Sequence, residues 1–345
     1  MFSKNLTFYR LKNHMTKKDL AIKCHLTPMA ISNYESGKRM PNMEQLKVLA
    51  SALGITVSDF LAVRNNNIQF CHGEFRKKSN LTLKRQNYIR ESVEEYFNRF
   101  FTAVELLGGD VLPNAPACHS LELNDDIEKN GLALRMHLGL AAEGPIGNLI
   151  SILENKGILV YALDIEENGF SGMNGFVNNH PYIIINNRMT TERNRSTISH
   201  ELAHLFFKWP QSMNEGDCEQ LATAIAGSFL FPADDALREL GISRHGISND
   251  MTMICKEYGI SMFMLAKRAR INNIITEQAE KQFYIQANNK GWRTNEPTRI
   301  APEVPSLFNQ LVFRAVCEEE ISIQKGAELL KVPFNNVATH CYMED

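Results

Sequence analysis

Between Ser196 and Lys208 the chain reads Ser-Thr-Ile-Ser-His-Glu-Leu-Ala-His-Leu-Phe-Phe-Lys, and no other stretch limits its folding so tightly. Ile198, Leu202, Leu205 and Phe206 recur at helical spacing, which predicts a helix with one face in a core. On such a helix His200 and His204 lie about 40° apart around the axis and one turn along it, so both imidazoles can reach one ion. Glu201 lies about 100° round from His200, near that ion but badly placed to bind it beside the histidines. The position suits a base acting on metal-activated water, as in a zinc hydrolase. Polar side chains on a buried helix need partners, and a metal ion satisfies them.

The rest of the composition narrows the class. Hydrophobic residues at 44% and charged residues at 22% exclude a disordered chain, and 345 residues suffice for two or three domains. No apolar run approaches the roughly 20 residues of a membrane span, and Met-Phe-Ser-Lys-Asn lacks the apolar core of a signal peptide, so a soluble cytoplasmic protein is expected. The seven cysteines (24, 71, 118, 218, 255, 317, 341) are scattered and never in a Cys-x-x-Cys pair, which argues for reduced thiols rather than disulfides or a zinc ribbon. Residues 1–64 hold ten Lys/Arg against four Asp/Glu, +6, so the net −2 of the whole chain leaves −8 for 65–345. The N-terminal segment is therefore the part expected to meet a polyanion.

That segment reads as a run of short helices. Thr16 and Asp19 form a capping-box pair ahead of Leu20-Ala-Ile, Thr27-Pro28 restarts the helix after a tight turn at Cys24-His-Leu26, and Gly37 and Gly54 close later turns. A short helix, a turn and a second helix with small polar outward residues can enter the major groove of duplex DNA. The segment resembles the XRE/Cro family of helix-turn-helix domains. The residues that carry the likeness are Thr16-x-x-Asp-Leu-Ala21, Ile31-Ser-Asn-Tyr-Glu-x-Gly-Lys-Arg-x-Pro41 and Leu46-x-x-Leu-Ala-x-x-Leu-Gly-Ile55. By that resemblance Thr27, Met29, Ser32 and Asn33 face base edges of a double-stranded operator, while Lys17, Lys38 and Arg39 hold phosphates. Lys17 departs from the family's usual glutamine, which puts sequence preference in doubt rather than DNA binding. Such domains read half-sites as dimers, so a homodimer is expected.

From Asn65 the composition turns polar, and residues 65–80 read as a linker. Residues 82–107 resume helical spacing, followed by helices over 125–139 and 144–157. Ile158 to Leu163 and Tyr182 to Asn186 read as strands, with the Gly-rich 169–175 between them. A strand beside the metal helix offers an edge for pairing with an extended substrate. Residues 251–270 read as two helices completing the core, and the tail beyond 273 as helical without a chemical motif.

A catalytic zinc needs a third protein ligand. Glu219 stands one turn ahead of Ala222, Ala226, Phe229 and Leu230, on a helix able to pack against the histidine helix; Glu215 and Asp217 are competitors. The region from about 70 to 270 resembles the ImmA/IrrE family of metallopeptidases, through Gly144-Pro-Ile146, Arg193-x-Arg-x-Thr-Ile-x-His-Glu-Leu-x-His-Leu205 and Glu219-x-x-Ala-x-x-x-Ala-x-x-x-Leu-x-Pro232. Ala203 and Thr223 stand where the family often has Gly and Asn. The resemblance implies Zn2+ on His200, His204 and Glu219, Glu201 as general base, and a protein substrate that is a helix-turn-helix repressor or antitoxin-like partner. No residue is singled out to stabilise the oxyanion; Tyr161, Tyr182 and His180 are candidates.

The architecture expected is multidomain: an all-α helix-turn-helix domain (1–64), a linker (65–80), an α+β zincin-like, gluzincin-type metallopeptidase core with a small sheet (81–272), and a helical C-terminal region (273–345). The function expected is a DNA-binding regulator with a zinc endopeptidase domain. Two alternatives stand beside it: a transcription factor whose peptidase-like domain senses or supports, and a regulator that cleaves itself in the linker. Cys118 or Cys218 as an inhibitory thiolate ligand is the weaker idea, since scattered thiols are generally inert.

Overall fold

The computed structural model describes residues 1–62, 68–73, 81–166 and 169–341. It opens with five short helices, α1 (Phe2–Lys12), α2 (Lys17–Lys23), α3 (Pro28–Glu35), α4 (Met43–Leu53) and α5 (Val57–Leu61). Thr16, Thr27, Asn42 and Thr56 each start one by accepting a backbone N–H, and Pro28 occupies the first position of α3. Gly54, at φ 68°, ends α4 in the left-handed conformation. Next come β1 (Phe70–His72) and the long α6 (Leu83–Leu106), then α7 (Ile127–His137) and α8 (Leu149–Glu154). Three strands, β2 (Leu159–Leu163), β3 (Gly172–Val177) and β4 (His180–Asn186), lead into α9 (Thr191–Phe206) and α10 (Glu215–Leu230). The chain ends with α11 (Ala233–Leu240), α12 (Met251–Tyr258), α13 (Met262–Ile271), α14 (Glu277–Asn289), α15 (Leu307–Cys317), α16 (Ile323–Leu330) and α17 (Phe334–Cys341).

Two compact units result, and their boundaries differ from those expected. The first gathers the described residues of 1–70, 75–111 and 308–345; the second gathers those of 71–74 and 112–307. Helix α6 was expected in the catalytic domain, but Ile89, Val93, Phe97 and Phe100 form an apolar stripe that is buried within the first unit. Phe100 meets Phe308 at 5.6 Å, Arg99 donates to the Leu329 carbonyl, and Lys331 pairs with Glu95 at 2.7 Å. Periodicity revealed the stripe without revealing what covers it. The expected C-terminal region is accordingly divided near residue 307. In the first unit's small core, Leu6, Leu20, Ile31, Tyr34, Leu49 and Phe60 are fully buried. Arg10 and Glu35 join α1 to α3 through two parallel bonds of 2.5 and 3.1 Å.

The same unit contains a repeat of backbone geometry. Ser322 caps α16 as Thr16 caps α2. Lys331 and His25 are left-handed at φ 57° and 54° at the same distance from those caps. Val332 N–H bonds the Ala327 carbonyl at 3.1 Å, as Leu26 N–H bonds Ala21 at 2.8 Å. Ile323 stands where α2 has Lys17, so the scaffold recurs without that cation.

The second unit is built on a mixed sheet of order β1-β3-β4-β2, with β2 parallel and β3 antiparallel to β4. The expected strands at 158–163 and 182–186 are β2 and β4. Most of the Gly-rich stretch, to which no element was assigned, belongs to β3, and the expected linker contains β1; residues 65–67 and 74–80 of that linker lie outside the described residues. Glycine serves close approach here: a Cβ on Gly172 would stand 2.5 Å from Thr197 of α9 and 2.8 Å from the Ile184 carbonyl. Beneath β3 and β4, α9 buries Ile198, Leu202 and Phe206 among Ile183, Ile185, Ala222 and Phe229. Its terminal carbonyls are satisfied by residues 119–121, His119 bonding Leu205 at 2.9 Å and Ser120 and Leu121 bonding Phe206 at 2.9 and 3.0 Å. The start of α9 is tied down by Arg195, only 2% exposed, which donates to the Gly147 and Ile146 carbonyls at 2.7 and 2.8 Å and to Glu303 at 2.5 Å. On α10, Ser228 lies against Gly131 of α7, where a Cβ would come within 2.3 Å of its hydroxyl.

Candidate metal centre

Helices α9 and α10 bring His200, His204 and Glu219 to one point. The two Nε2 atoms are 3.1 Å apart, His200 Nε2 is 3.3 Å from Glu219 Oε2, and His204 Nε2 is 3.3 Å from Glu219 Oε1. Among the described residues this is the one cluster of three or more His, Cys, Asp or Glu side chains with metal-binding spacing. Ligands about 2.0–2.2 Å from a tetrahedral zinc stand roughly 3.3–3.5 Å from one another, and with one atom from each residue the three groups lie within 4.8 Å, close enough for small side-chain adjustments to seat such an ion.

Two residues that sequence reasoning did not assign hold the cluster in order. Thr223 Oγ1 donates to the Glu219 carbonyl at 2.8 Å and lies 3.2 Å from His200 Nδ1. With its proton committed to the carbonyl, the hydroxyl accepts from Nδ1–H, which leaves the Nε2 lone pair of His200 facing the cluster. From β3, Asn174 Nδ2 donates to Glu201 Oε2 at 2.7 Å, and Glu201 itself is 6% exposed. Trp209 packs against His204 with the rings tilted by 35° and their centroids 5.1 Å apart. Thr223 had a signal, as a departure from the family pattern; Asn174 sat in the Gly-rich stretch to which no element was assigned.

The other candidates fall elsewhere. Glu215 and Asp217 lie in the first turn of α10, exposed, and Asp217 is bonded by its cap Asn214 at 3.0 Å. The Tyr182 hydroxyl is engaged by His72 Nδ1 at 2.6 Å. Tyr161 is half-buried, and burial lowers the His180 pKa. Burial pushes the Cys118 thiol up to about 11, and burial together with Glu219 raises Cys218, so both favour the neutral thiol over a metal-binding thiolate.

In the first unit, Met29 on α3 is 69% exposed, Ser32 and Asn33 are half-buried, and Lys38 and Arg39 are exposed. The Thr27 hydroxyl is occupied as the cap of α3, accepting from Ala30 at 3.1 Å. Lys17 folds back, its Nζ 3.2 Å from Ser32 Oγ and 3.5 Å from Glu35.

With this geometry in place, comparison with known proteins separates the two units by family. Residues 8–60 match the helix-turn-helix family, and residues 153–270 match the IrrE N-terminal-like domain family. Two known domains are joined in this chain. The IrrE-like match spans α9 and α10, and hence all three residues of the cluster. The HTH-type transcriptional activator BcrR of Enterococcus faecalis is 34% identical over 61 residues, covering 18% of this chain and 30% of that protein. No helix among the described residues is long and apolar enough to cross a membrane.

Proposed function

We propose that this chain is a DNA-bound regulator whose IrrE-like domain is a zinc-dependent endopeptidase on a zincin-like core. Its substrate is a partner protein, a helix-turn-helix repressor or antitoxin, in the cytoplasm. The observation that carries this reading is the convergence of His200, His204 and Glu219 at a spacing able to hold a metal ion, with Glu201, next to His200 on α9, bonded by Asn174. Zinc held by these three residues supplies Lewis acidity to water and to a peptide carbonyl. Asn174 engages Oε2 of Glu201, so Oε1 is the atom that takes the water proton and passes it to the leaving amine. Thr223 keeps the proton of His200 on Nδ1 throughout.

On the DNA side, Met29, Ser32 and Asn33 meet base edges while Thr27 sets the pitch of α3, and Lys38 and Arg39 hold phosphates. Lys17 joins them on leaving Glu35. The homodimer expected of such domains is part of the proposal, and the likeness to a named transcriptional activator supports a role in transcription.

The test is to incubate zinc-loaded protein and its Glu201→Gln variant with helix-turn-helix proteins encoded beside its gene, and to look for cleavage products by mass spectrometry. Products from the wild type alone support the reading. A zinc-loaded wild type that leaves every partner and itself intact favours a sensing or supporting domain instead.

A further inference from the structure

The last three helices of the first unit meet at a corner that holds two thiols. Gly326 of α16 lets α15 and α17 close on it, since a Cβ there would stand 2.9 Å from Val316, 3.3 Å from Val337 and 3.4 Å from Val312. Phe313 and Cys317, one turn apart, share the face of α15 turned to α17. The Phe313 ring stacks on His340 with centroids 4.8 Å apart and planes 12° from parallel, and the next residue of α17 is Cys341. The Cys341 thiol donates to the Phe313 carbonyl at 3.8 Å, and the Cys317 thiol donates to the Cys341 carbonyl at 3.8 Å. The two thiols also bond each other: burial first, and then the hydrogen bond with Cys317, pushes Cys341 up to about 11.

The pair is asymmetric. Cys317 is exposed and Cys341 half-buried, and both are free thiols in this structure. An exposed thiol beside a shielded one is the arrangement in which the first meets an oxidant and the second resolves it. The S–S bond of about 2.05 Å, made between sulfurs already in contact, is within reach of side-chain rotation. Cys24 and Cys255, by contrast, are buried in the cores of their units and behave as packing residues.

We propose that Cys317 and Cys341 form a reversible, peroxide-reactive dithiol, a modification site separate from the metal centre. Hydrogen peroxide oxidises Cys317 to the sulfenic acid: the O–O bond breaks, one oxygen stays on sulfur, and the other leaves as water with the thiol proton. The Cys341 sulfur then attacks the sulfenic sulfur, the S–O bond breaks, and the hydroxyl leaves as a second water with the Cys341 proton. Two thiols have lost two electrons and two protons, and one peroxide has become two waters. A small-molecule dithiol returns the electrons by thiol–disulfide exchange. The new bond closes a loop that contains α16 and α17, which restricts the unfolded chain. That loop is fastened to the helix-turn-helix: Lys331 lies over the Phe8 and Tyr9 rings of α1, 5.0 and 5.6 Å from their centroids, and pairs with Glu95 of α6 at 2.7 Å.

The experiment treats the full reduced chain briefly with hydrogen peroxide, alkylates the remaining thiols, and maps disulfides by mass spectrometry of the digest. In the wild type, a Cys317–Cys341 linked peptide that dithiothreitol reverses should be the predominant disulfide, a readout that needs no variant. Cys341→Ser removes the resolving thiol, so the sulfenic acid at Cys317 should persist and its dimedone adduct should rise about tenfold or more over the wild type. Cys317→Ser should give neither the link nor the adduct. Links spread among the seven cysteines without preference, a covalent dimer in place of the internal link, or equal dimedone labelling of Cys317 in the wild type and Cys341→Ser overturn the proposal.

Discussion

The proposed DNA-reading face and the candidate metal centre are both built on helices whose motifs can be found in the sequence, yet they are assembled in opposite ways. On α3 the side chains assigned to DNA point outward, and their support comes from within residues 1–41: the Thr27 cap, the Arg10–Glu35 pair and the buried Ile31 and Tyr34. At the metal centre the assigned residues come from two helices, and their support comes from elsewhere: Asn174 from β3, residues 119–121 at the end of α9, and Ile146, Gly147 and Glu303 around Arg195. A surface that waits for its ligand needs local rigidity. A buried cluster of like-minded donors needs its orientation imposed from several sides, because each ring and carboxylate must be held against desolvation and repulsion.

Changes at the centre should therefore leave DNA binding untouched. The largest effect is expected from Glu201→Gln, which should slow partner cleavage by about 10²–10⁴-fold while the electrophoretic shift of operator DNA stays the same. Arg195→Ala leaves Glu303 buried without its partner and frees the start of α9; denaturant unfolding should show a loss of about 3–5 kcal/mol. Thr223→Val removes the acceptor for His200 Nδ1, and zinc affinity measured by chelator competition should fall about 10–100-fold with folding retained. On the other face, Asn33→Ala should cost about 1–3 kcal/mol of discrimination between operator and mismatched duplex without changing zinc affinity. Lys38→Ala or Arg39→Ala should each lower the salt slope of binding by about one, uniformly across sequences.

The smallest effect concerns pH. Burial pushes the Glu296 carboxyl up to about 7, while the Met262 N–H, 2.5 Å away, pulls the other way. Its folded pKa lies above the free value of 4.5, so the folded state binds the proton more tightly. The stability this contributes is full below about 4.5 and is lost as pH rises through about 7. Glu296→Gln should flatten the pH dependence of the melting temperature across that window.

Much of the helical structure was legible because capping chemistry and apolar spacing are local. Thr16 with Asp19, Thr27 with Pro28, and Gly54 mark helix ends where the structure has them. Strand β3 was not legible: its Gly172 and Gly175 gave the stretch no strand pattern, and their purpose appears only when α9 and β1 lie against them. Helix α6 was legible as a helix but not as part of the first unit, since an apolar stripe does not name its partner. Asn174 and Thr223 are ordinary polar residues by sequence; their roles exist only through bonds to Glu201 and His200, 27 and 23 positions away.

By itself, the sequence determined that His200 and His204 share one helical face, that Glu201 stands beside them, that Glu219 opens the approach of a second helix, and that positive charge gathers in residues 1–64. These follow from helical periodicity and composition, which need no knowledge of distant contacts. Only the tertiary structure decided which of the acidic residues on α10 meets the histidines, which oxygen of Glu201 is engaged by Asn174, and which segment lies on the edge of β3. Those are matters of ångströms between chain-distant atoms, fixed by how α9, α10 and the sheet pack.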